Sequence, residues 1–116
     1  MDINRKKVLI ITEYNVVADG DQADFHFRKD VLDRICSLNI SHIAVVLKED
    51  EPLVRAKTIE FYVFAYCKTA VSTHKEDVID EVMRMLPHNQ RKRELFVSIG
   101  EEYPGIDKLS MEGFLR

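Results

Sequence analysis

Val8-Leu9-Ile10-Ile11-Thr12 is the stretch on which the reading of this chain turns. Its apolar residues run without a break, so neither face of a strand built from them has a polar row to offer to water. That is the pattern of a strand covered on both sides, as in a parallel sheet, and differs from the in-out alternation of a half-exposed one. Working outward, His42 to Leu47, with Ile43-Ala44-Val45-Val46 at its centre, is a second run of the same kind. Thr58 to Cys67 is rich in β-branched and aromatic residues and predicts a third strand, and Leu95 to Ile99 a fourth.

Helical spacing fills the intervals. Val31, Leu32, Ile35 and Leu38 form one apolar stripe, and Val78, Ile79, Val82 and Met85/Leu86 a second, which Pro87 ends. Ser72 or Thr73 is the candidate cap of the second helix, running from about Lys75, with Glu76 completing a capping box. Glu13 to Asp24 is a polar stretch carrying the turn residues Asp19-Gly20-Asp21, and Pro52 opens a short helix through Ala56. Ile106 to Met111 reads as a short last helix, and Gly113-Phe114-Leu115-Arg116 as the start of a fifth strand. Strands alternating with helices predict one α/β domain over residues 1–116, three-layered and Rossmann-like. Its mainly parallel sheet of four to five strands has helices on both faces.

The chain has 116 residues, 46% hydrophobic and 32% charged, as in an ordinary globular domain. At this length a chain buries about two-thirds of the surface its unfolded form exposes, enough for a core without staples. A net charge of −3 gives no general attraction to phosphate, so nucleic acid is not an expected partner. Gln90-Arg91-Lys92-Arg93 is read as a solvated connection. No stretch reaches the roughly 20 apolar residues of a membrane span, and the run ending at Thr12 is too short for a signal-peptide core. The expected compartment is cytoplasmic. Cys36 and Cys67 read as small buried hydrophobes in a reducing environment, without a disulfide. His26, His42, His74 and His88 stand at no metal-ligand spacing, which argues against zinc. The four glycines form no phosphate-cradling loop.

In parallel α/β sheets ligands bind beyond the carboxyl ends of the strands. The residues there are Thr12 to Asn15, Leu47 to Glu51, Cys67 to Thr69 and Gly100 to Tyr103. Val8 to Asn15 has the place of a first strand followed by an Asp-x-Asp-Gly motif. Phe27-Arg28-Lys29-Asp30-Val31-Leu32 through Ala44-Val45-Val46-Leu47-Lys48 has that of a helix and a strand ending in Thr or Ser. Phe96-Val97-Ser98-Ile99-Gly100-Glu101-Glu102, with Ile106-Asp107 and Met111-Glu112-Gly113, has that of a Gly-Asp motif and an Ala-Gly ending. In order and spacing the chain resembles the haloacid dehalogenase (HAD) superfamily. Within it, the chain is similar to the small cap-less histidinol-phosphatase-like and polynucleotide 3′-phosphatase-like branch.

The resemblance implies a phosphatase site and, position by position, its loss. The family's nucleophilic Asp and its acid/base Asp fall on Thr12 and Tyr14. A threonine hydroxyl is a weak nucleophile without an adjacent base, and phenols ordinarily hold their proton at neutral pH. The phosphate-binding Thr/Ser falls on Leu47, which offers no hydrogen bond. The phosphate-neutralising Lys falls on Lys75 or, as an alternative, Lys68. The magnesium-binding Asp becomes Glu101, and a second acidic position becomes Gly105. Three replaced positions in different segments imply a scaffold without phosphoryl chemistry.

Carboxylates do gather near the strand ends. Glu13 with Glu101 and one of Glu49, Asp50 or Glu51 is the candidate metal set, weighed against the preferred reading of solvated loop charges. The expectation is a binding or regulatory module with no cofactor, and Mg²⁺ only if residual activity survives. Cap-less relatives cover the active end with partner subunits, so the resemblance implies self-association or a protein partner. One alternative is a weak Mg²⁺-dependent phosphohydrolase with altered residues. Another is a receiver-like signalling domain, although Glu13 stands nearly alone after the first strand and Cys67-Lys68 follows the third.

Overall fold

The run Val8–Thr12 forms β1, and its four apolar side chains are all buried. The computed structural model describes residues 2–18, 26–47, 57, 70–73 and 77–116. After β1 come a helical turn α1 (Glu13–Val16), β2 (Val17–Ala18), β3 (His26–Phe27), α2 (Lys29–Ser37) and β4 (His42–Val46). Then follow β5 (Ala70–Thr73), α3 (Val78–Met85), β6 (Phe96–Ile99), β7 (Asp107–Leu109) and α4 (Met111–Leu115).

Among the described residues the main sheet has five strands in the order β5-β4-β1-β6-β7, and every neighbouring pair is parallel. β1 is central: Ile10 lies opposite Ala44 of β4 on one side and Ser98 of β6 on the other. Alternate residues of each inner strand serve opposite faces. Leu9, Ile11, Ile43, Val45, Val97 and Ile99 pack with Val31, Leu32 and Ile35 of α2 and Phe114 of α4. Val8, Ile10, Ala44, Val46 and Phe96 pack with Val78 and Val82 of α3 and with Leu86. Helices therefore cover both faces, which is the reason β1 can be apolar throughout. Each of its four buried side chains contributes about 1.5–3 kcal/mol relative to exposure.

Local chemistry sets the helix ends. Asp30, in the first turn of α2, accepts the Val31 N–H at 2.9 Å, and Arg28 donates to both of its oxygens at 3.3 and 2.7 Å. α2 is tied to the last helix by Arg34, whose Nε donates to the Phe114 carbonyl at 2.7 Å. At the amino-terminal edge of the sheet Lys6, only 5% exposed, donates to Asp107 Oδ2 and to the Glu94 carbonyl, each at 2.7 Å. One ammonium thus joins the approach to β1, the turn before β6 and the start of β7.

Several expected elements are corrected. Ser72 and Thr73 lie in β5, in register with Val45 and Val46, so neither caps α3, where Asp77 has the cap position. The expected last helix at 106–111 contains β7 instead, and the expected fifth strand at 113–116 is largely α4. The reason is that β7 is a short edge strand. Its Asp107 and Lys108 are exposed and carry no apolar pattern to betray it. The signal for α4 was Ser110, whose hydroxyl accepts the Gly113 N–H at 3.1 Å. Part of the polar stretch after β1 is ordered as α1 and as β2, which pairs antiparallel with β3. Cys36 is exposed rather than buried, because the buried stripe of α2 passes through Ile35 and leaves the next position facing out. The strand expected at 58–67, Cys67 itself and the short helix after Pro52 lie outside the described residues. No helix among the described residues is long and apolar enough to cross a membrane.

Candidate functional site

Counted among the described residues, the main-sheet strands stand in the order 3-2-1-4-5. The chain builds outward from β1 through β4 to β5, then crosses back to lay β6 on the other side of β1. In such sheets the connections of the two strands flanking this reversal diverge, leaving a crevice beyond their carboxyl ends. Here those connections are the turn after β1 and the loop after β6. The two meet at Gly100, where a Cβ would sit 3.8 Å from Asn15 Nδ2.

On the β1 side, α1 wraps Asn15 back over the strand end, and its Nδ2 donates to Thr12 Oγ1 at 3.1 Å. Thr12 is half-buried, and its hydroxyl is held as an acceptor facing an amide. The next two residues part company: Glu13 is 1% exposed and Tyr14 68% exposed. A carboxylate sunk this far belongs to the interior of the turn, whereas the phenol of Tyr14 stands in solvent. Leu47, just past β4, packs against the core cluster shared by α2 and α4.

On the β6 side, Gly100 has φ +83°, in the left-handed region that suits glycine, and its N–H donates to the Leu109 carbonyl at 2.9 Å. Ser98, fully buried in β6, donates through Oγ to the Glu101 carbonyl at 2.7 Å and holds the loop in place. Glu101 is half-buried, and Glu102 is exposed and 3.7 Å from Lys108. Tyr103 turns back under the loop, 9% exposed, among Ile106, Val78 and their neighbours. Burial, and secondarily the charge of Glu101, pushes its phenol up to about 12. Tyr103 therefore stays neutral over the ordinary pH range.

Thr12 ends β1, Glu13 and Tyr14 stand on the connection after it, Glu101 stands on the loop after β6, and Leu47 follows β4. Lys75, Lys68 and residues 49–51 lie outside the described residues. Among the described residues no three His, Cys, Asp or Glu side chains come together in a group that could hold a metal ion. His42, whose Nδ1 lies 2.9 Å from Ser41 Oγ, is at the opposite end of the sheet, where burial lowers its pKa. Asn15 and Tyr103 fall in the ranges marked beyond the strand ends but were given no role, and Ser98, inside its strand, was not marked as a site residue. For Asn15 the available signal was its i+3 spacing from Thr12, which a single helical turn brings together.

These features define a Rossmann-like α/β domain with an all-parallel main sheet, in which the connections after β1 and β6 meet at the topological switch point. Set against family models, curated proteins and solved structures, the chain matches none of them.

Proposed function

We propose that this chain is a HAD-like domain that has lost phosphoryl-transfer chemistry and acts as a binding or regulatory module. A protein partner or a second copy would meet it at the carboxyl end of the sheet. The observation that carries the reading is the state of Thr12. It ends the central strand at the switch point, where the family resemblance locates the nucleophile, and its hydroxyl receives a hydrogen bond from Asn15. A hydroxyl serves as a nucleophile when a base takes its proton, and an amide N–H donor supplies no such base. The solvent-facing Tyr14 and the core-packed Leu47 support the same reading, since neither substitutes for an acid/base carboxylate or a phosphate-binding hydroxyl. Strand order counts against the receiver-like alternative: sheets of that type run 2-1-3-4-5, with the first strand between the second and third. Here β1 lies between β4 and β6, and β5 precedes β6 along the chain.

The test is Mg²⁺-dependent hydrolysis of an aryl phosphate by the whole chain, with Glu101→Ala as the contamination control. Glu13→Ala is unsuitable as a control, because replacing a side chain buried to 1% exposure perturbs the fold as well. The expected result is no turnover above the control. Turnover that requires Mg²⁺ and vanishes in Glu101→Ala would overturn the proposal in favour of an altered phosphohydrolase.

A further inference from the structure

We draw no further inference here: the strongest candidate, the crevice of about 350 Å³ at the amino-terminal end of the sheet lined by Asp2, Arg5, Lys6, Glu94, Leu95 and Asp107, carries nothing because its buried ammonium already pairs with Asp107 and the Glu94 carbonyl and nothing in the structure shows what would occupy the charged side chains that remain.

Discussion

Replacing Phe114 by alanine tests the arrangement of the last six residues, where the sequence pattern and the fold diverge most. Phe114 is fully buried in the cluster formed by β1, β4, β6 and α2, and it is held there by the Ser110 cap and by Arg34 on its carbonyl. Truncating a buried phenylalanine removes its transfer free energy and leaves a cavity, together costing about 3–5 kcal/mol. A chain of this size has a total stability of roughly 6–17 kcal/mol, so the loss is a large fraction of it. With a urea m-value of about 1.5 kcal/mol/M, the unfolding midpoint should fall by about 2–3 M. Heating should show a drop of about 12–20 °C in Tm, at roughly 4 °C per kcal/mol. The assay is urea unfolding followed by far-UV circular dichroism, with exposed Lys92→Ala as the control that leaves the midpoint essentially unchanged. If Phe114→Ala costs less than about 1 kcal/mol, α4 is not docked on α2 and the packing argued above is wrong.

Gly100→Ala should destabilise the domain by about 1–2 kcal/mol in the same assay, because an L-residue is strained at φ +83° even though its Cβ has room. A neutral or stabilising effect would refute the assigned backbone. Tyrosine absorbance during alkaline titration should contain a late step near pH 12 that is missing in Tyr103→Phe. Because the folded phenol holds its proton more tightly than the unfolded one, this group's contribution to stability is complete below about pH 10. It is lost as pH rises through about 12. The Lys6 hydrogen bond, chiefly, holds the Asp107 carboxyl below its ordinary range. Its contribution is present above the ordinary carboxylate pKa and disappears as pH falls through the lowered one. Carboxyl-carbon NMR titration should show the Asp107 midpoint rising in Lys6→Met, and an unchanged midpoint would break the assigned pairing.

Where the apolar pattern was strong, it predicted the element. β1, β4, β6 and α2 were all readable because each buries a continuous run or a stripe at helical spacing. β7 and α4 exchanged roles with the expectation. A polar edge strand owes its pairing to the backbone of Val97–Ile99, and the backbone leaves no trace in side-chain character. The site was partly readable in the same sense. Thr12, Tyr14, Leu47 and Glu101 follow strand ends, and strand ends are what periodicity locates. The burial of Glu13 beside the exposure of Tyr14 was not readable, since it depends on the way α1 folds back immediately after β1.

By itself, then, the sequence determined that this is an α/β domain with a doubly covered central strand. Uninterrupted apolar runs that alternate with helical stripes are stable in water when both faces of the strand are covered. Only the tertiary structure decided which loops face one another. The return of the chain from β5 to β6, across the central strand, brings Gly100 against Asn15 from 85 residues away. It also sets the Lys6 ammonium on Asp107 across nearly the whole chain. Such contacts arise from strand order, and strand order is a choice among packings that similar apolar strands satisfy almost equally well.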